Sequence, residues 1–317
     1  MNTATKVTAY AGVLAIVFGG AWAAGAAVGP LGDAPAPAAM DHGAAQSTSS
    51  NTGDKLPPGL SVAENGYVLK PLRTTATAGE QQPFQFTIGT ADGGTVTKFD
   101  VEHEKRLHLV LVRRDGSGFQ HVHPEMAADG TWSVPLTLPT AGSYRVFADF
   151  KPENGTKTTL GTDIQVAGTY EPKQYDSDTR EFTVDGYTVR LDGELKPGAE
   201  SMVTTTVTKG GKPATDLQPY LGANGHLVAL RSADLAYLHV HPMDAPGAGP
   251  EVKFMVEVPT SGRYRLFLDF QHEGKVRTAE FSLGTTGAAP APSTPSTSTA
   301  TSAPATPPAD DHGGHGG

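Results

Sequence analysis

A histidine, twelve residues, then His-Val-His-Pro: the chain writes this pattern twice. His108 precedes His121-Val122-His123-Pro124, and His226 precedes His239-Val240-His241-Pro242. Six of the eleven histidines therefore fall in two equivalent triplets. Neutral imidazoles are good ligands for copper and zinc, and three together make a ready donor set. Met126 and Met243 follow the two prolines closely. A thioether added to imidazoles suits copper, Cu(I) above all, whereas three imidazoles with a carboxylate suit Cu(II) or Zn²⁺. Asp149 and Asp269 stand at equivalent points of a later segment, as extra ligands or as partners of Arg145 and Arg265.

These side chains converge only if a strand pairing brings them together. Asp115-Gly116 is a hairpin dipeptide of the type I′ kind. With it as a two-residue loop, His108 lies opposite His123, and His121 shares their face because strand side chains alternate. In the second repeat the same spacing sets His226 opposite His241 across Ala233-Asp234, a weaker turn former. The face of His108 also carries Val110, Val112 and Phe119; that of His226 carries Val228, Leu230 and Tyr237. Both readings stay open at this point: the histidines are metal ligands, or they are structural polar groups on an apolar face. His103 and His272 have no counterpart in the other repeat and are expected in solvent.

The repeat extends beyond the histidines. Thr140 to Phe150 is matched by Thr260 to Phe270 as Thr-x-Gly-x-Tyr-Arg-x-Phe-x-Asp-Phe. Short runs rich in β-branched and aromatic residues, such as 83–88, 107–112, 132–138 and 144–150, alternate with Gly, Pro and Asp clusters. No helical period persists beyond two turns. The expected fold is all-β: two tandem Ig-like (cupredoxin-like) β-sandwich domains at 58–168 and 181–284, joined by a linker at 169–180. Gly142-Ser-Tyr144 and Gly262-Arg-Tyr264 resemble the tyrosine corner of immunoglobulin-type domains, with Val146 and Leu266 at the family's cysteine position.

The 317-residue chain has no cysteine, which excludes disulfides, iron–sulfur clusters, thiolate zinc sites and blue-copper ligation. A net charge of -9 argues against nucleic acid as a partner. Val7 to Val28 carries no charge and is long enough to span a bilayer. Residues 1–28 are expected to form an anchoring helix that puts the domains outside the cytoplasm. The alternative is a cleaved signal peptide, with small residues at 23–27 or 36–38 as the cleavage region. Residues 29–57 and 285–317 are Ala/Pro/Ser/Thr-rich and expected to be disordered. His42, His312 and His315 lie in them, beside aspartates, as candidate collectors of a metal ion.

With its two His-Val-His-Pro motifs on paired sandwich domains, the chain resembles bacterial extracytoplasmic Ig-like or cupredoxin-like modules of the YtkA-like kind, and its linkers resemble those of actinobacterial secreted proteins. The resemblance implies copper or heavy-metal handling. Phe119-Gln-His121-Val-His123 is similar to the copper strand of Cu/Zn superoxide dismutases, but the zinc-loop histidines and the cysteine pair of that family are missing. The sequence shows no Gly-x-Ser-x-Gly, His-Glu-x-x-His or phosphate-binding glycine loop, so no enzyme is expected. The leading expectation is a membrane-anchored or secreted protein that binds and delivers copper, or zinc, to a protein partner. It would use His108, His121, His123 and Met126 in one domain and His226, His239, His241 and Met243 in the other. The alternative is an Ig-like surface module whose histidines are structural.

Overall fold

Twenty strands and no helix make up the described part of the computed structural model, residues 57–243 and 249–286. The apolar N-terminal segment, the linker with His42 and the tail with His312 and His315 lie outside the described residues. Among the described residues no helix is long and apolar enough to cross a membrane.

The first domain contains β1 (Ala63–Glu64), β2 (Tyr67–Pro71), β3 (Thr75–Ala76), β4 (Gln81–Thr90), β5 (Leu107–Arg113), β6 (Gln120–Val122), β7 (Glu125–Met126), β8 (Trp132–Thr137), β9 (Gly142–Phe150) and β10 (Thr158–Val166). They form two sheets, ordered β1-β2-β4-β8-β7 and β3-β10-β9-β5-β6. The second domain follows with β11 (Glu181–Val184), β12 (Tyr187–Gly193), β13 (Ala199–Lys209), β14 (Lys212–Pro213), β15 (His226–Arg231), β16 (Tyr237–Leu238), β17 (Val240–Pro242), β18 (Glu251–Val258), β19 (Arg263–His272) and β20 (Lys275–Gly284). Its sheets run β11-β12-β13-β18-β17, with β14 on β13, and β16-β15-β19-β20.

Each sandwich closes on its own core. Phe86, Trp132, Leu109, Val146 and Leu160 are buried in the first, and Val189, Phe254, Leu268 and Phe281 in the second. Both tyrosine corners form as expected. Tyr144 Oη donates to the Thr140 carbonyl at 3.0 Å, and Tyr264 Oη to that of Thr260 at 2.7 Å.

The apolar residues that share a face with the histidines do not point into either sandwich. Along β5, Leu107, Leu109 and Leu111 enter the first core, while Val110 and Val112 point the other way. Along β15, Leu227 and Ala229 enter the second core, while Val228 and Leu230 point outward. These outward residues form a third apolar cluster with Phe147, Leu235 and Phe267, flanked by Phe119 and Tyr237. The two sandwiches thus dock through equivalent sheets. Docking explains why β5 is buried along its whole length: each face of the strand meets a different core.

The docking is nearly two-fold, and its departure from symmetry matters. On one side Phe119 stacks on Phe267, ring centroids 4.0 Å apart and planes 5° from parallel. The equivalent pair, Tyr237 and Phe147, sits at 5.5 Å and 55°. Against that second pair packs the segment Pro57–Gly59, bonded to β10 through Gly59 N–H to the Thr159 carbonyl at 2.9 Å. Its Pro58 carbonyl accepts from Tyr237 N–H at 3.0 Å. Gly59 has φ +76, and a Cβ there would lie 2.5 Å from the Phe147 ring, so the position admits only glycine without rearrangement. Beside this wedge opens a cleft of ≈ 550 Å³ whose walls include Pro58, Lys157, Tyr237 and His239.

Candidate metal centre

The first hairpin keeps the expected register but not the expected turn. Leu109 pairs with Val122 and Val110 with His121, the alignment that places His108 level with His123. The loop is not a two-residue type I′ turn. Arg113 N–H bonds to the Ser117 carbonyl at 2.8 Å, one residue out of step with the ladder, and left-handed Gly118 (φ 64) takes up the difference as a bulge. Asp115 is held inside the loop instead, accepting from Arg113 Nη2 at 2.5 Å and Ser117 Oγ at 2.7 Å.

The imidazoles of His108, His121 and His123 converge. One nitrogen from each lies within 4.8 Å of the others. His108 Nδ1 is 3.2 Å from His121 Nε2 and 3.2 Å from His123 Nε2. Two nitrogens bound at about 2.0 Å to one tetrahedral ion would stand about 3.3 Å apart. The outer nitrogens are engaged elsewhere. His108 Nε2–H donates to the Glu102 carbonyl at 3.1 Å, and His121 Nδ1–H donates to Asp269 Oδ2 at 2.8 Å. In the neutral rings this leaves His108 Nδ1 and His121 Nε2 facing each other with lone pairs, an arrangement that a cation between them stabilises. A carboxylate behind a ligating imidazole is the usual outer support of such sites.

Asp269 comes from the second domain. It lies opposite His226 on the β15–β19 ladder, yet gives one oxygen to His121 and takes a hydrogen bond from Thr278 Oγ1 at 2.5 Å on the other. Both side chains of the His121–Asp269 pair are nearly sealed, 1% and 3% exposed. Neither aspartate pairs with its neighbouring arginine: Arg145 bonds to the Gly59 carbonyl and Asp163, and Arg265 to the Gly116 carbonyl and Glu280. Asp149 accepts instead from Thr159 Oγ1 at 2.9 Å, with Lys157 Nζ at 3.6 Å.

Burial dominates the electrostatics of the cluster. Loss of solvent, then the neighbouring imidazoles, push His108 and His123 down to about 3 from 6.5. His226 is held well below 6.5 by burial first and then by His121, His108, His103 and His123. Tyr220, from a loop of the second domain, is pushed up to about 12 by burial and the Asp269 charge, and its ring lies 6.4 Å from that of His123. Neutral imidazoles at neutral pH are the form that binds metals.

The second triplet does not assemble. Its hairpin starts in the expected register, Ala229 opposite Leu238 and Leu230 opposite Tyr237, across a four-residue loop with left-handed Leu235. The chain then crosses to the other sheet at His239, so Val240 and His241 pair with Val256 and Met255 of β18. In the first repeat this crossing comes later, after Val122, and Glu125 and Met126 pair with β8. His239 and His241 are consequently exposed, and His239 lines the cleft beside the wedge. His226 turns to the first domain's cluster. The expectation of two equivalent sites gives way to one cluster at the junction of the domains.

The methionines are not part of it. Met126 packs against the first core opposite Trp132, and Met243 is 51% exposed. Of the two histidines expected in solvent, His272 is buried, accepting from Tyr187 Oη at 2.7 Å through Nδ1 while Nε2–H donates to Asp216 at 2.8 Å. His103 is exposed, but its ring lies 6.1 Å from His108 and 5.8 Å from His226. It is held there by a tight turn in which His103 and Glu104 have φ 45 and 65. The sequence marks that turn only weakly: histidine enters the left-handed region more often than most residues, whereas glutamate does not.

A family model described as a domain of unknown function (DUF8832) matches residues 62–168 and again 182–287. No curated protein matches the chain. Among solved structures it is similar to the Escherichia coli adhesin FdeC, at 14% identity over 71% of this chain and 65% of that one, with a TM-score of 0.24. It is also similar to a Salmonella alpha-2-macroglobulin, at 13% identity over 72% and 15% with a TM-score of 0.26, and to a marsupial T cell receptor, at 11% over 69% and 99% with a TM-score of 0.23. The chain thus spans under two thirds of the length of the first two.

Proposed function

Since the chain belongs to the DUF8832 family and carries its domain twice in tandem, we propose from the site itself that it holds one transition-metal ion on His108, His121 and His123. The observation that supports this most is the convergence of three nitrogens, two pairs at 3.2 Å, with the His108 ring turned inward by Glu102 and the His121 ring by Asp269. With no methionine at the cluster the donor set is all nitrogen, which favours Cu(II) and Zn²⁺ over Cu(I), and copper over zinc by intrinsic affinity. The uncharged segment at 7–28 leads us to place the protein on the outer face of the membrane, as an anchored or secreted carrier that passes its ion to a partner. The role is binding and delivery rather than catalysis.

The structural reading draws on a specific feature too: the histidines continue the apolar face that docks the domains. Titration of the intact chain with Cu(II), Cu(I) and Zn²⁺, beside the variant His108→Ala/His121→Ala/His123→Ala, separates the two. Saturation near one ion, lost in the variant, supports the metal reading. Affinity no tighter than about micromolar, worth about 8 kcal/mol, would leave the histidines a purely structural role.

A further inference from the structure

The triplet supplies three donors, and a tetrahedral ion takes four. Around the cluster the second domain presents a further imidazole. The His226 ring lies 5.7 Å from His108, planes 4° apart, and 4.9 Å from His121. Within the triplet itself the ring separations are 5.4, 5.0 and 4.8 Å. His226 thus stacks beside two of the three, outside the group of nitrogens that converge within 4.8 Å, and its side chain has to turn inward to reach an ion held there. Its own nitrogens are uncommitted: among the described residues neither has a hydrogen-bond partner, and neither is a sealed polar atom. The backbone before it is packed tightly, since a Cβ at Gly225 would meet Leu268 Cδ1 at 3.0 Å and the Asp269 carbonyl at 3.3 Å.

We propose that the ion sits between the two domains, with His226 closing the triplet as a fourth imidazole ligand and Asp269 orienting His121 from the same domain. This rests on the reading of the triplet as a metal site. The first domain then supplies three ligands, the second supplies one ligand and the outer carboxylate, and the ion clamps the docked sheets together. A four-imidazole shell leaves no open position for a substrate, which separates a carrying or clamping site from a catalytic one.

X-ray absorption on the intact chain loaded with Zn²⁺ counts the imidazoles without any substitution. Four nitrogen ligands are expected, falling to three plus an oxygen in His226→Ala. Zinc affinity is expected to fall about 100-fold in that variant, no less than the loss of an outer-shell partner costs, and to stay unchanged in His239→Ala. Three imidazoles in the intact chain, with unaltered affinity in His226→Ala, overturn the fourth ligand and leave the triplet standing. No zinc uptake by the intact chain overturns the triplet and the clamp together.

Discussion

The two repeats share their histidine spacing, their hairpin register and their tyrosine corners, and yet only one gathers its imidazoles. In the first, the strand stays with β5 through Val122 and crosses to β8 afterwards, so His121 and His123 remain over His108. In the second, it leaves β15 after Leu238 and joins β18 from Val240, carrying His241 to the opposite sheet. The sides of the junction differ in the same sense. Phe119 closes on Phe267 at 4.0 Å where the histidines gather, whereas Tyr237 and Phe147 meet at 5.5 Å with Pro57–Gly59 packed against them where His239 faces the cleft. Asp269 crosses the closed side to reach His121, while Asp149 turns back to Thr159 and Lys157. Near-identical local sequence thus gathers its imidazoles once rather than twice, because the chain changes sheets earlier in the second repeat.

Acid should stress this comparison hardest. His108 and His123 titrate near 3 when folded and near 6.5 otherwise, so the unfolded chain takes up protons first as pH falls. Their contribution to metal-free stability is complete above about 6.5 and is lost as pH falls toward 3. Thermal melts of the chelated chain should show this decline, and His108→Gln should flatten it; an equally steep decline in the variant would contradict the account. Next in size, Phe267→Ala removes a fully buried ring from the closed side and should cost about 3–5 kcal/mol in chemical denaturation. Asp269→Asn should weaken metal binding about 10–100-fold, while Asp149→Asn leaves it unchanged in the same titration. The smallest effect belongs to the wedge. Gly59→Ala forces a Cβ onto Phe147 at φ +76 and should lower stability by about 1–2 kcal/mol, with metal affinity nearly intact.

Much of this was legible from residue order. Alternation along β5 and β15 put the histidines and valines on one face, and both registers formed as expected although neither loop is the expected two-residue turn. The Gly-x-Tyr spacing likewise named the two corners. Period-two patterning reports that a face is buried but not what buries it. Val110, Val112 and Phe119 therefore read as core, whereas they meet Val228, Leu230 and Phe267 of the other domain. The turn at Asp115-Gly116 misled for a local reason, because Arg113 and Ser117 capture the aspartate and Gly118 absorbs the extra residue. His226 and Asp269 could be placed in the first domain's cluster only after docking, a contact between residues more than a hundred positions apart.

A metal-loaded chain should hold one ion at one place. Anomalous diffraction from crystals of the copper- or zinc-loaded chain tests it most directly. A single peak bounded by His108, His121 and His123 at the domain junction is the expected result. A peak of equal height at His239 and His241, or none at the junction, would contradict it.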